Sequence, residues 1–159
     1  MMWWNQQQWV EVVERAPLVS IDLIVTNARN EVLLGWRNNK PAQHSWFVPG
    51  GVVRKNETLQ QAFERVVQDE LGVQAQATRT DVFKGVYEHH YPDNFAGTTG
   101  VTTHYVVLAH CLNAEKHLPD LLGLKNLPKA QHKNYVWMPV AEVQNNPQVH
   151  EHSKAYFLE

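Results

Sequence analysis

The chain has 159 residues, of which 43% are hydrophobic, and its formal net charge is −2. This length allows a buried hydrophobic core, and the charge balance excludes a basic nucleic-acid-binding arm and a disordered tail. Cys111 is the only cysteine, which excludes an internal disulfide and favours a reducing compartment. Because no signal peptide or membrane-spanning apolar segment is evident, we expect a cytoplasmic protein with one domain over residues 1–159 and no membrane or nucleic-acid partner.

The first part of the chain predicts a helix followed by three strands. The helix covers residues 5–15, and Pro17 ends it. The strands are rich in β-branched and aromatic residues and are separated by turn-forming residues; they cover 18–26 ("LVSIDLIVT"), 32–37 ("VLLGWR") and 45–49 ("SWFVP"). The first two of these strands should form a hairpin.

A second helix is predicted over residues 57–71, after a turn at Gly50-Gly51. Asn56 can cap its N-terminus and Gly72 its C-terminus. The remaining predicted elements are strands at 81–91, 103–112 and 134–140, a polar connection over 113–134, and a helical tail from about residue 147. Hairpins around one central helix, without regular βαβ alternation, predict an α+β domain with a mixed or mostly antiparallel sheet.

One carboxylate interrupts the apolar face of the second helix. At about 100° per residue, six apolar side chains fall on one face, namely Leu59, Ala62, Phe63, Val66, Val67 and Leu71. Glu70 lies near the centre of the same face. A buried carboxylate must be paired, protonated or bound to a metal. The position therefore leaves two interpretations open, a metal ligand or an ion pair with a cation such as Arg37.

The segment around Glu70 resembles the signature of the Nudix hydrolases, G-x5-E-x7-R-E-U-x-E-E-x-G-U, where U is a bulky apolar residue. The residues in register are Gly51, Glu57, Arg65, Glu70, Gly72 and Val73. The resemblance implies a Nudix fold, with a mixed or antiparallel sheet sandwiched between helices, and metal-dependent hydrolysis. Val66 and Asp69 replace two signature glutamates. Because Val66 removes a carboxylate, we expect one essential Mg²⁺ ion rather than a cluster.

Longer stretches resemble one Nudix subfamily, the GDP-mannose mannosyl hydrolases. They include "APLVSIDLIV", "LLGWR", "PAQHSWFVPGG", "KNETLQQAFERVVQDELG", "TTHYVVL", "QHKNYVW" and "SKAYFL". The resemblance implies a homodimer that hydrolyses GDP-mannose, and secondarily GDP-glucose, by water attack at the anomeric carbon with inversion. Such a reaction needs positive charge on the leaving diphosphate and a base on the opposite face of the sugar.

By this resemblance, the metal ligands are Glu70, the carbonyl of Gly50 and the side chain of Gln131. His132 matches the general base, and its ordinary pKa of about 6.5 suits proton transfer near neutral pH. Without the resemblance, Gln131 and His132 would be ordinary loop residues.

Four further residues match substrate contacts in the subfamily. Arg37 and Tyr105 match contacts to the diphosphate, although a strand tyrosine can equally pack on the core. Asp22 and His89 match residues near the sugar, and a charge inside the apolar run around Asp22 would otherwise be expensive. His90, the neighbour of His89, should point to the other face of its strand.

The remaining motif residues are expected to be structural or to support the leaving group. Glu57 and Arg65 would tie the loop at Gly51 to the helix, and the alternative is two solvated charges. Where the subfamily has an arginine after the double glycine, this chain has Val52. Arg54, two residues later, could supply that contact to the diphosphate from an extended loop.

The tryptophans near the N-terminus and the histidine pairs are not expected to bind a ligand. Trp3, Trp4 and Trp9 favour packing, for example at a dimer interface, over stacking on a guanine base. The pairs His89-His90 and His150-x-His152 lack a cysteine or acidic partner, so a zinc site is not expected.

Two rival functions remain open from the sequence. The first is an ordinary Nudix pyrophosphatase with attack at phosphorus, which Val66 disfavours because it depletes the metal cluster. The second is a nucleotide-binding module without catalysis, which the retention of Glu70, Gln131 and His132 disfavours.

Overall fold

A computed structural model describes residues 5–129 and 132–158, without the side chains of residues 132 and 133. The strands it describes are β1 (Leu18–Thr26), β2 (Glu31–Arg37), β3 (Trp46–Phe47), β4 (Gly50–Val52), β5 (Phe83–Tyr91), β6 (Thr103–Asn113) and β7 (His132–Pro139). The helices are α1 (Gln6–Arg15), α2 (Leu59–Leu71), α3 (Arg79–Val82), α4 (Ala114–His117), α5 (Val140–Val143) and α6 (Glu151–Lys154). Two 3-10 segments cover Leu124–Asn126 and Ala155–Phe157. Within these ranges, no helix is both long enough and apolar enough to cross a membrane.

The strands form one mixed sheet in which β1 is central. The order is β3-β2-β1-β6-β5, with β4 added to β1 and β7 added to β2. β1 runs parallel to β6 over its whole length, whereas β5 is antiparallel to β6 and β7 is antiparallel to β2. This arrangement confirms the predicted α+β class and the mixed sheet.

Two apolar layers cover the opposite faces of the sheet. On one face, α2 buries Phe63 and Val67 against alternate residues of β1 such as Leu23. On the other face, Ile24 of β1 packs with residues of the C-terminal segment that include Tyr156. Because successive side chains of β1 point to opposite faces, β1 contributes to both clusters. Helical segments therefore cover both sides of the sheet.

The partner of β1 changes along its length, and this change positions the site. β1 meets β2 only near its end, where Thr26 lies opposite Val32. Closer to the start of β1, residues 20–22 pair with β4 instead, so that Asp22 lies opposite Gly50. β1 and β2 therefore diverge, and the cleft described below opens between them.

Two predicted features around α2 are wrong. Gly50-Gly51 is not a turn but the start of β4, because both residues pair with β1. Asn56 is not the N-cap, since its φ of 70° lies in the left-handed region, whereas an N-cap residue needs an extended backbone. Thr58 takes that role and forms a capping box with Gln61, so the helix begins at residue 59.

Three other boundaries also differ from the prediction. The strand predicted from residue 81 begins at Phe83, because residues 79–82 form the short helix α3 with a capping box between Thr78 and Asp81. The connection predicted over 113–134 contains α4, and β7 already begins at His132. The strand predicted over 45–49 is shortened to β3.

Replacing Gly72 with alanine should destabilise the protein by about 1 kcal/mol. Gly72 ends α2 with a φ of 70°, a conformation that a side chain disfavours, and its backbone N–H donates to the carbonyl of Gln68. An added Cβ would meet Pro128 at an ordinary contact distance of 3.5 Å, so the cost comes from the backbone. Denaturant unfolding measures the change.

Gly123→Ala is the matched control. Gly123 has an extended φ of 170°, and nothing lies within 4 Å of an added Cβ. Its free energy of unfolding should stay the same or rise slightly. If Gly72→Ala and Gly123→Ala lost the same free energy of unfolding, the left-handed cap at Gly72 would have no specific role.

Candidate functional site

A cleft of about 320 Å³ opens where β1 and β2 diverge. It brings together six residues selected from the sequence, namely Asp22, Arg37, Gly50, Gly51, His89 and Tyr105. Lys40 adds a second cation, and Trp9 and Phe95 add aromatic surface. A larger depression of about 540 Å³ lies elsewhere, beside Glu115 and Leu122, and none of the selected residues lines it. Cations, aromatic rings and one carboxylate in a single cleft suit an anionic ligand that carries a ring.

The double glycine allows β4 to lie directly against β1 and α2. A Cβ at Gly50 would lie 2.7 Å from the carbonyl oxygen of Ile21 and would overlap the carboxyl group of Asp22. A Cβ at Gly51 would lie 3.1 Å from Cγ2 of Val66 on α2. A side chain at Gly50 would therefore displace the Asp22 carboxyl group from the cleft.

Asp22 belongs to a hydrogen-bonded group with Tyr156 and His89. The Tyr156 hydroxyl donates to Oδ2 of Asp22 at 2.5 Å and lies 3.4 Å from Nε2 of His89. Burial raises the pKa of Asp22 to about 6, although the hydrogen bond from Tyr156 and the charge of Arg37 both lower it. Sequence reasoning missed Tyr156, and the only available signal was its place in "SKAYFL".

His89 is enclosed by aromatic and imidazole rings. Its ring stacks on His152 with centroids 4.3 Å apart, and Nε2 of His152 lies 3.1 Å from the carbonyl oxygen of His90. Burial, and then the nearby histidines, lower the pKa of His89 to about 3, so its ring is neutral at pH 7. His89 is 5% exposed, whereas the side chain of His90 is 64% exposed, as expected for residues on opposite faces.

Glu70 is buried on α2, with an exposed fraction of 7%. Burial raises its pKa to about 8; Asp69 and Asp22 raise it further, and Arg37 lowers it. The charge of Arg37 therefore does not offset the burial. A divalent cation would stabilise the ionised carboxylate, and oxygen donors from Glu70 and the Gly50 carbonyl are of the type that Mg²⁺ and Mn²⁺ prefer. The residues present thus fit a hard divalent cation.

Glu57 and Arg65 join the segment after β4 to α2. Arg65 donates through Nε to Glu57 at 2.5 Å and through Nη2 to the carbonyl of Val52 at 2.8 Å. The hydrogen bond from Arg65 holds the pKa of Glu57 below its usual range. Glu57 also accepts from the backbone N–H of Arg54 at 2.8 Å, and the side chain of Arg54 is not among the residues that line the cleft. This geometry disfavours the alternative of two solvated charges.

Some selected residues fall outside the described part of the chain. Gln131, Trp3 and Trp4 lie outside the described residues, as does the side chain of His132. The backbone of His132 opens β7 and lies opposite Arg37 in the register with β2. The register therefore brings the backbone of His132 next to a residue that lines the cleft.

The family model for the NUDIX domain matches residues 16–159. The chain belongs to the NUDIX family. It is also 46% identical to the low-salt glycan biosynthesis protein Agl8 of Haloferax volcanii over 84 residues, which cover 53% of this chain and 51% of that protein. The chain thus spans about half the length of this curated relative.

Solved structures share the fold at low sequence identity. The MutT NUDIX hydrolase of Burkholderia pseudomallei aligns with a TM-score of 0.66 and 17% identity, covering 90% of this chain and 97% of that one. A bifunctional NMN adenylyltransferase/ADP ribose pyrophosphatase of Francisella tularensis, complexed with AMP and a Mn ion, gives 0.64 and 18%, covering 95% of this chain and 43% of that one. The expected Nudix fold is confirmed, and family membership supports the hydrolase class.

Glu70→Gln should raise the stability of the metal-free protein and abolish its stabilisation by Mg²⁺. The pKa of Glu70 is about 8 in the folded protein and about 4.5 in the unfolded chain, so folding favours its protonated form. The contribution of Glu70 to stability is complete below pH 4.5 and is lost as the pH rises through 8. At pH 8 the variant should be more stable by roughly 1–3 kcal/mol.

Thermal unfolding in a chelator and then in Mg²⁺ measures both effects. Glu64→Gln is the matched control, because Glu64 is exposed on the same helix and should respond to neither condition. If the unfolding temperature of Glu70→Gln still rose with Mg²⁺, Glu70 would be excluded as a metal ligand.

Proposed function

We propose that the chain hydrolyses GDP-mannose, and secondarily GDP-glucose, to GDP and the free sugar by water attack at the anomeric carbon with inversion. The observation that carries this proposal is the composition of the cleft, in which cations lie beside the Asp22–Tyr156–His89 group. The cations suit a diphosphate, and the Asp22–Tyr156–His89 group suits a sugar ring. The role in glycan biosynthesis named for Agl8 agrees with a nucleotide-sugar substrate.

Arg37 and Tyr105 are proposed to hold the leaving diphosphate. The guanidinium group of Arg37 is positioned by a hydrogen bond from Nε to the carbonyl of Asn39 at 3.1 Å and by the ring of Phe47, whose centroid lies 5.6 Å from Cζ. Its Nη groups can donate to phosphate oxygens. Lys40, which also lines the cleft, adds positive charge that a diphosphate would neutralise.

Asp22 and His89 are proposed to contact the sugar. A carboxylate near the anomeric carbon stabilises the positive charge that develops there as the bond to GDP breaks. The hydrogen bond from Tyr156 favours the ionised form of Asp22 and fixes its orientation, so Tyr156 acts as a positioning residue. Neutral His89 can donate or accept hydrogen bonds with sugar hydroxyls.

His132 is proposed as the base that receives the proton of the attacking water. The oxygen of the water bonds to the anomeric carbon, and the bond between that carbon and the GDP oxygen breaks, with its electron pair leaving on GDP. Glu70, the Gly50 carbonyl and Gln131 would hold a single Mg²⁺ ion. When bound, this ion would neutralise negative charge on the diphosphate. Val66, which is 1% exposed, supplies apolar packing where the family signature has a carboxylate.

We propose that residues 1–159 form one domain and that the enzyme is a cytoplasmic homodimer. Within the proposed domain, α1 also forms part of the cleft wall, because Trp9 lines the cleft and its ring centroid lies 6.3 Å from that of Phe95.

Hydrolysis of GDP-mannose with Mg²⁺ in ¹⁸O-labelled water tests the proposed function. Label in mannose with unlabelled GDP is expected, because the water attacks carbon. Label in GMP or mannose phosphate would instead mean attack at phosphorus and an ordinary pyrophosphatase. Ligand-induced thermal stabilisation without any product would point to a binding module.

Tyr156→Phe should lower kcat on GDP-mannose by about tenfold or more while changing KM little. The variant also loses the hydrogen bond that lowers the pKa of Asp22, so this pKa should rise above about 6. The acid limb of the pH–rate profile should therefore move to higher pH.

Tyr87→Phe is the matched control. Tyr87 packs edge-on against Tyr156 with ring centroids 4.8 Å apart, so both variants alter the same aromatic cluster. The control should keep the wild-type pH profile. An unshifted acid limb in Tyr156→Phe would contradict the positioning role.

A further inference from the structure

A second group of metal-ligand side chains lies on the face of the sheet opposite the cleft. His90 on β5 lies directly across from His104 on β6, and Glu88 lies two residues before His90 on the same face. His89 and Tyr105, which line the cleft, alternate with these residues and point the other way. The group is therefore separate from the proposed active site.

The three side chains already converge. Each offers one ligand atom, and these atoms lie within 4.8 Å of one another. The rings of His90 and His104 stack with centroids 4.3 Å apart, and Oε2 of Glu88 lies 3.7 Å from Nε2 of His90. Tetrahedral zinc, with ligands at about 2.0–2.1 Å, holds them roughly 3.4 Å apart, so binding requires the exposed Glu88 and His90 side chains to rotate inward and His90 to unstack from His104.

His104 has a buried ring nitrogen that is free to take a ligand. Its Nε2 atom is buried and has no hydrogen-bond partner in the described part of the chain. A buried polar atom without a partner is costly, and a coordinated metal would satisfy its lone pair. The side chains of Glu88 and His90 are 72% and 64% exposed, so they can rotate toward a shared ion without disturbing the core.

We propose that Glu88, His90 and His104 bind one zinc-class divalent cation at the outer face of the β5–β6 pair. Two imidazoles and one carboxylate suit Zn²⁺, Ni²⁺ or Co²⁺ rather than Mg²⁺. A fourth position stays open for water. The expectation from sequence that these histidines lack an acidic partner is thus corrected, because Glu88 lies on the same face of β5 as His90 and the register with β6 adds His104.

A second histidine group is a weaker candidate. His150, Glu151 and His152 also offer atoms within 4.8 Å of one another. However, Nδ1 of His150 accepts from the backbone N–H of His152 at 3.1 Å, and Nε2 of His152 contacts the carbonyl oxygen of His90. These nitrogen atoms already have partners, whereas Nε2 of His104 does not.

Bound metal would join the edge strand β5 to β6 through side chains. In the part of the chain that the structure describes, β5 pairs only with β6 and ends the sheet. A cation held by both strands binds the folded state and not the unfolded chain. Zn²⁺ should therefore raise the unfolding temperature, in addition to any effect of Mg²⁺.

Calorimetric titration of the full chain with Zn²⁺ in excess Mg²⁺ tests the site. Wild-type protein should bind one Zn²⁺ here, and His90→Gln and Glu88→Ala should each weaken binding by about tenfold or more. Both residues are exposed, so the variants should fold. His44→Gln, at an exposed loop histidine, is the control that should keep wild-type affinity. His152→Gln tests the other histidine group and should also keep it.

The imidazole NMR signals of His104 give a second readout that does not depend on activity. They should shift with Zn²⁺ in wild-type protein and not in His90→Gln. Unchanged affinity in His90→Gln would overturn the proposal. Loss of binding in His152→Gln or Glu70→Gln would also overturn it, by placing the ion at the other histidine group or at Glu70 on α2.

Discussion

The close approach of β4 to β1 is the constraint on which the cleft depends. β1 exchanges β2 for β4 as its partner, and this exchange is possible because Gly50 has no side chain beside Asp22. The resulting gap between β1 and β2 exposes Asp22 to the cleft and leaves Arg37 at its edge. Arg65 of α2 then holds the end of β4 through the Val52 carbonyl and pairs with Glu57. The pairing of β4 with β1 thus forms the cleft, and the contacts of Arg65 with Glu57 and Val52 stabilise β4 beside it.

Burial shifts the protonation of the acidic groups and the histidine in opposite directions. It raises the pKa of Glu70 and Asp22 and lowers that of His89, because the charged form is disfavoured in each case. In the metal-free protein the cleft region therefore carries less charge than its composition suggests. A divalent cation would favour the ionised carboxylates, so cation binding and deprotonation are linked.

Local signals predicted much of the fold, and non-local contacts account for most of the rest. The apolar face of α2, with Glu70 in it, and the left-handed cap at Gly72 follow from helix geometry and glycine chemistry. Asn56 and Thr58 can both act as N-caps, so only the backbone conformation decides between them. The pairing of β4 with β1, the contact of Tyr156 with Asp22 and the placing of His104 beside His90 depend on register between distant segments. Spacing alone does not contain that information.

The hydrogen bond between Tyr156 and Asp22 joins residues 134 positions apart in the chain. Since β1 also needs β6 as its parallel partner, neither flank of the cleft forms from the N-terminal half alone. A growing chain on the ribosome would hold an unfinished cleft until residue 156 had emerged from the exit tunnel. The Asp22–Tyr156 contact thereby makes one side of the cleft depend on a segment synthesised much later, so that a chain terminated before residue 156 would lack it.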